Sequence, residues 1–556
     1  MKNISEFIKT HSNKILILML AILVIVGISS CSNLTNSDST ETEAVDVPVK
    51  NAVTIKTNEE KNGGDIKIYL PKGVQSLNPF RNSSVAMEDI YSLIYEKVIY
   101  IDGNNKPQGM LAESWEIGED SKTFTITLRD NVYFSNGTKF TSKDVVYTYN
   151  LIKSTAAQGV SKYTDIIQAI ASIDEIDDRH IKVTGVKTGL NTLYALNFPV
   201  LCKAASASTT PIGTGPFKLS SYVKDSKLVL VPNEKWWKPQ PYLNSITAIC
   251  YSSEKDALEA FAKGEIDIID TESVSSDIYR KSASANRYKL PTSELNYLLI
   301  NTTKANLKNK GFRQALNYAI DKKKIINNVY ISHADPVDAP LLPTDWRYST
   351  AYTQYNYDYD KALTLFNSLG MSQKETVEAS SGLKTYKLMQ GSSQVSLKIL
   401  VIDDTSRTLN IETANNIKND LNKIGISVEI VKKIYTDYLK ALSNGDFDIA
   451  VCNVVLKNDM DVSNMLTSDT GAAYYLNYGK YSNSTLSSYI NAYANSKDES
   501  TILSNTASFQ KLFTEELPFI CLNFKSRSLL INDNIGGVTE TLTDNVFNGI
   551  NAWYIK

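Results

Sequence analysis

Hydrophobic and polar residues change rhythm repeatedly along this chain. DIKIYL, Asp65 to Leu70, alternates with the period of a strand and stops at the breakers of PKG. Val85 to Tyr100 places apolar residues at helical spacing, and Thr123 to Phe134 alternates as paired strands do. Ser142 to Thr155 returns to a helix, with Ser142 suited to its N-cap. Further strands are predicted at Lys227 to Pro232, Asn296 to Thr302, Val395 to Ile402, Ile426 to Lys432 and Phe447 to Val455. A helix is predicted over Phe312 to Tyr330. Strands and helices interleaved in this way predict α/β units. LAESWEIGEDSKTFTITLRDNVYFSNG, Leu111 to Gly137, reads as a hairpin with its turn at GEDSK, and Trp115, Phe124, Leu128 and Phe134 are spaced for packing.

The beginning of the chain follows a different rule. Lys2, Lys9 and Lys14 precede a fourteen-residue apolar run, Ile15 to Ile28, followed by Ser29, Ser30 and Cys31. The run is short for a membrane span of about 20 residues, and its basic front and small-residue end give residues 1–30 the form of an export signal. Ile28 to Cys31 resembles a bacterial lipobox, in which the thiol is acylated before cleavage makes the cysteine the first residue. Two acyl chains give stable anchoring, because each buried methylene contributes about 0.8 kcal/mol. Residues 31–63, rich in Ser, Thr, Asn and acids, cannot bury enough apolar surface to fold and read as a disordered tether.

At 556 residues the chain is long enough for two or three folding units. Its 58 basic and 60 acidic residues are nearly balanced, with no long basic stripe, which argues against nucleic acid as a partner. The densest basic run, DKKK at Asp321 to Lys324, reads as a solvated helix face. Loss of residues 1–30 leaves 55 basic and 59 acidic residues, a formal charge of −4. Beyond Cys31 there remain Cys202, Cys250, Cys452 and Cys521, without CxxC spacing, which read as buried free thiols.

Chemistry is sparse. A hydrolase needs a nucleophile beside a base, and the three histidines are His11, in the export signal, His180, at an expected exposed strand start, and His333. There is no G-x-S-x-G, H-E-x-x-H or Walker loop, and the lone GTG at Gly213 to Gly215 reads as a turn. The scattered histidines and cysteines do not form a metal set. Asp459 to Asn464 lacks the glycine and distal glutamate of a calcium loop. The chain is therefore read as a non-enzyme without cofactor or metal. Its surplus is aromatic: 32 tyrosines, with a cluster at Trp346 to Asp360, supply flat faces with hydroxyl tips that suit a cleft.

Several stretches occur in one order that resembles a known family. They are SLNP (Ser76 to Pro79), IYEKVIYIDGNNKPQGMLAESWE (Ile94 to Glu116) and TFTITLRDNVYFSNGTKFTSKDVVYTY (Thr123 to Tyr149). PIGTGPF (Pro211 to Phe217), PNEKWW (Pro232 to Trp237) and FAKGEIDI (Phe261 to Ile268) follow. NYLLINTT (Asn296 to Thr303), GFRQALNYAIDKKKI (Gly311 to Ile325) and NGDFDIAV (Asn444 to Val451) complete the series. Together they are similar to the bacterial extracellular solute-binding proteins of family 5, the oligopeptide and dipeptide class that feeds ABC importers.

The resemblance implies a type II periplasmic-binding-protein-like fold: two α/β lobes joined by two crossover hinge strands, with an extra α/β subdomain in the first lobe. Lobe I would comprise residues 64–83, 209–300 and 518–556, the inserted subdomain 84–208, and lobe II 301–517. The crossovers would be Asn296 to Asn301 and Pro518 to Phe524. The implied function is capture of peptides by lobe closure and delivery to a membrane permease, by a monomer anchored through lipid on Cys31 at the outer face of the cytoplasmic membrane. A sensor without transport, or a binder of a nickel chelate or oligosaccharide, would use the same scaffold. In peptide-binding relatives a Gly-Trp and a following Asp form part of the pocket. Here Asn453 and Val454 stand at the Gly-Trp position, and Asp459 reaches the acidic position with a small shift. Asn78, Tyr297, Asn301 and Trp346 complete the expected cleft residues.

Overall fold

The computed structural model describes residues 63–556 except 75, 82–83, 158–162, 164, 378–383, 405–407 and 471–474. The expected export signal, Cys31 and the tether up to residue 62 lie outside the described residues.

One eleven-stranded sheet runs through both lobes. From the lobe II edge it passes through Ser427–Lys433, Ser396–Ile402 and Ile449–Val455 to two long central strands, Ala285–Ile300 and Phe519–Asn532. Beyond them, in lobe I, come Ile268–Thr271, Asp65–Pro71, Ser245–Tyr251, Lys227–Pro232 and Phe217–Val223. The short strand Ala334–Pro336 lies off this path and pairs with Phe519–Asn532. The two long strands are the crossovers, paired antiparallel with each other and anchored in both lobes. The second is buried along almost its whole length, whereas the first is continuously buried only from Leu295 to Ile300.

In lobe II the helices Lys310–Ala319, Lys322–Val329 and Thr408–Ile424 pack with Leu298 and Ile300 in one core, while Tyr297, Leu299, Phe509 and Phe513 share another. The inserted subdomain has its own four-stranded antiparallel sheet, Ala112–Ile117, Thr123–Leu128, His180–Gly185 and Ile170–Glu175 in spatial order. Phe124, Leu128 and Phe134 are buried in its core and Trp115 packs against it, so the Leu111 to Gly137 stretch is scaffold.

Two helices are shorter than their periodicity predicts. The first spans Val85–Ile94 and gives way to the strand Ile99–Ile101. The interruption comes from tertiary packing: Gly213 and Gly215 lie against the helix end, and a Cβ on Gly213 would stand 2.0 Å from the Ile94 carbonyl oxygen. Just beyond, buried Glu96 accepts from both indole N–H groups of Trp236 and Trp237, at 3.1 and 2.8 Å. The GTG motif is thus needed for close approach.

The second expected helix divides at Ile320, which is extended, and restarts at Asp321, whose side chain accepts from the Lys324 amide. The DKKK run also differs from a solvated face. Lys322 is buried and donates to Asp338 at 2.6 Å and to the Val337 carbonyl, Lys324 pairs with Asp420 at 2.9 Å, and Lys323 alone of the three is exposed. Cys202, Cys452 and Cys521 are free and buried, whereas Cys250 is half-buried.

Candidate functional site at the junction of the lobes

The pairing of the two crossovers loses register where they pass between lobes. Pro291 pairs with Ser526 and Leu295 with Phe524, so three residues on one strand face Lys525 alone on the other. Such an irregularity bends the strand locally. A second irregularity lies within the predicted crossover segments: Asn296 pairs with Asn523 and Tyr297 with Cys521, so Leu522 has no partner between them. Thr292 Oγ1 donates to the Lys525 carbonyl at 2.7 Å, and the Leu456 amide donates to the Ser293 carbonyl at 2.9 Å. The Lys525 ammonium lies 2.8 Å from Glu272 and 3.7 Å from Glu294. Burial alone would lower its pKa, but these carboxylates raise it.

A second junction ties the inserted subdomain to lobe II. Between the strands Ile99–Ile101 and Pro107–Gly109, DGNNK closes a loop in which Asp102 Oδ1 accepts from the amides of Asn104 and Lys106. Asn105 adopts φ +58°, a left-handed conformation that asparagine tolerates. Its side-chain nitrogen donates to Asp345 Oδ2 at 2.6 Å and to the Asn458 carbonyl at 2.7 Å.

Asp345 and Arg347 are organised by a turn of their own. Asp345 Oδ1 accepts from both the backbone amide and the Nε of Arg347, each at 2.8 Å, and its Oδ2 accepts from Nη2 at 2.7 Å. The pair is buried, with side-chain exposures of 0% and 5%. Arg347 Nη1 also donates to the Asp459 carbonyl at 2.6 Å. The guanidinium lies within 6 Å of the ring centroids of Tyr194 and Trp346, at 5.6 and 5.8 Å. Burial would weaken the Arg347 charge, but Tyr194 and Asp345 outweigh that effect and raise its pKa. Tyr194, from the insert, is pushed up to about 12, chiefly by burial. Its hydroxyl donates to the Asn105 carbonyl at 3.0 Å and accepts from Trp346 Nε1 at 3.1 Å.

Around this centre, Lys106 pairs with Glu499 at 2.7 Å, Thr188 donates to Asn495 at 2.9 Å and Lys497 donates to the Gly118 carbonyl at 2.9 Å. Leu190 packs against both the insert core and the lobe II core. Nearby, Met460 has φ +55°, so the loop carrying Asp459 holds a residue in a conformation uncommon for its type.

Of the residues expected in the cleft, Trp346 and Asp459 meet here. Asp459 Oδ1 accepts from the Asp461 amide at 3.0 Å. Its pKa is raised by burial and by Asp461, with Arg347 offsetting part of the rise. The others lie apart. Asn78 forms a local turn by accepting from the Phe80 amide at 2.8 Å and lines a cavity of about 670 Å³ with Tyr147 and Pro211. Tyr297 is buried with its ring 5.2 Å from Phe519. Asn301 donates to the carbonyls of Gly445 and Phe447 and accepts from Thr303, a structural clip. Asn453 is exposed and donates to Glu294 at 3.3 Å.

Tyr348, Tyr352, Tyr355 and Tyr357 line a separate cavity of about 730 Å³ with Lys322 and Asp338. Neither Arg347 nor Asp459 forms part of its wall. Sequence reasoning missed Asn105, Tyr194, Asp345 and Arg347. The available signals were an NN pair in a turn and opposite charges flanking Trp346.

The family model for bacterial extracellular solute-binding proteins, family 5, matches residues 106–499, more than two thirds of the chain. Heme-binding protein A of Haemophilus influenzae is 30% identical over 321 residues, 52% of this chain and 57% of that protein. The probable D,D-dipeptide-binding periplasmic protein of Escherichia coli is 23% identical over 464 residues, 80% of this chain and 85% of that protein. The solved structure of HbpA2 from Haemophilus parasuis superposes with a TM-score of 0.75 at 20% identity, covering 89% of this chain and 100% of the other. The chain belongs to the bacterial extracellular solute-binding proteins of family 5.

Proposed function

We propose that this protein is the substrate-binding component of an ABC importer, that it captures peptides between its lobes, and that lipid on Cys31 anchors it outside the cytoplasmic membrane. Family membership supports solute capture, and the D,D-dipeptide-binding relative of Escherichia coli supports the ligand class. A solute that touches both lobes binds the closed form better than the open form, so it shifts the population toward closure by that difference in affinity. A membrane permease then receives the closed form.

The observation that carries the peptide reading is Asp459. Its carboxylate uses one oxygen on the Asp461 amide, while the neighbouring Arg347 directs its hydrogen bonds to Asp345 and to backbone carbonyls. A ligand ammonium would give the other oxygen a charged donor, which none of the described residues is seen to supply. The test is to denature protein purified from its own cells and identify released small molecules by mass spectrometry. Peptides of mixed sequence are expected; heme, a nickel chelate or oligosaccharide instead would overturn the reading. Asp459→Ala should weaken peptide binding by about 2 kcal/mol or more in calorimetry, because the ammonium would be left without its partner.

A further inference from the structure

We infer that the junction between the insert and lobe II is a guanidinium seat, filled in this structure by the chain's own Arg347, and that the network built around this occupant holds the two parts together without any solute. The seat is made from both sides. Lobe II supplies the Asp345 carboxylate and the carbonyls of Asn458 and Asp459, and the insert supplies the Tyr194 ring and the Asn105 amide that completes the Asp345 shell. A planar cation with several N–H donors, engaged in two parallel bonds by one carboxylate and lying near aromatic faces, meets the requirements that distinguish guanidinium from a compact ammonium.

The network closes on itself. Asn105 joins Asp345, Asp345 joins Arg347, Arg347 lies against Tyr194, and Tyr194 returns to Asn105 through a hydroxyl that also receives the Trp346 indole. Two of its members come from the insert and three from lobe II. A solute entering the cleft therefore need not supply the charge that holds this junction. The inference concerns the solute-free protein and stands apart from the peptide reading, so either can fail without the other.

The test uses the full-length chain in detergent carrying Arg347→Ala. Its melting temperature should fall, and millimolar guanidinium chloride should restore at least half of the loss in a saturable manner, with sodium chloride of equal ionic strength as control. Binding to the folded state alone produces such a rise. Wild type, whose seat is full, should not respond, nor should Asp345→Ala/Arg347→Ala, which lacks the carboxylate. No rescue of the single variant, or equal rescue of the double variant, overturns the assignment of the seat. Small-angle scattering of solute-free Asn105→Gly tests the second half and decides alone should Arg347→Ala fail to fold. A larger radius of gyration than wild type is expected, and an unchanged radius overturns the claim that the junction holds the parts together.

Discussion

The Asn105 side-chain amide donates to the Asp345 carboxylate across 240 positions of sequence, at 2.6 Å. Each partner is set by a turn that its own segment builds. Asp102 closes the loop that turns Asn105 into a left-handed conformation, and Asp345 accepts from the Arg347 amide two residues on. Neither side chain has to be ordered from a free loop when the junction forms, so little of the bond's free energy is lost to ordering.

Asn105→Gly removes that bond together with the one to the Asn458 carbonyl and leaves the backbone unstrained, because glycine occupies φ +58° freely. Loss of a hydrogen bond to a buried carboxylate should cost about 1.5–3 kcal/mol. Scanning calorimetry should show a lowered transition, and an unchanged one would make the contact energetically neutral.

The Asp345–Arg347 pair should show strong coupling. Removing either partner alone leaves a buried charge uncompensated, which costs about 3–5 kcal/mol. Asp345→Ala and Arg347→Ala should each reach that range, while the double variant should lose clearly less than the sum. Additive losses in calorimetry would mean that the two charges do not depend on each other.

Much of the scaffold was legible because local pattern and tertiary packing agree. The alternation of Asp65–Pro71 and the apolar run of Ser396–Ile402 each correspond to a strand. Where packing overrides pattern, the sequence misleads. Val85 to Tyr100 keeps a helical rhythm past Ile94, but the approach of Gly213 to the helix end lies more than a hundred residues away in sequence. The Phe312 to Tyr330 run likewise hides a break, where Ile320 is extended and the Asp321 side chain caps a second helix. The junction was least legible, since Asn105, Tyr194, Asp345 and Arg347 are ordinary residues made significant by contact. Asp459 and Trp346, expected in the cleft from family likeness, meet at this junction, whereas Asn301 clips the distant carbonyls of Gly445 and Phe447 and Asn78 holds a local turn.

Gly189 should tolerate no side chain. It has φ +96°, and a Cβ there would lie 2.2 Å from the Ala494 carbonyl oxygen on the lobe II side of the junction. Gly137 provides the control, with φ +86° and no atom within 4 Å of the added carbon. Gly137→Ala should cost only the left-handed backbone penalty of about 1–2 kcal/mol. Gly189→Ala should cost more and also enlarge the radius of gyration in solute-free scattering. Equal losses with unchanged radii would show that the Gly189 contact is not needed to seat the insert.

Stability should also carry a pH signature from lobe I. Burial pushes the Asp270 carboxyl up to about 6, with Glu272 and Glu254 adding to the rise and Arg527, 3.2 Å away, offsetting part of it. Asp89, which lines the same small cavity, is raised by burial and by Asp270 itself. An unfolded aspartate titrates near about 4, so between that pH and the raised folded value the native protein holds protons that the unfolded chain has lost. Stability from Asp270 is therefore fully present at the acid end and falls as pH rises through the window to about 6. Asp270→Asn cannot titrate, so its melting temperature should fall less steeply than that of wild type across the window. Parallel profiles for the two proteins would show that Asp270 ionises with its ordinary pKa despite its burial.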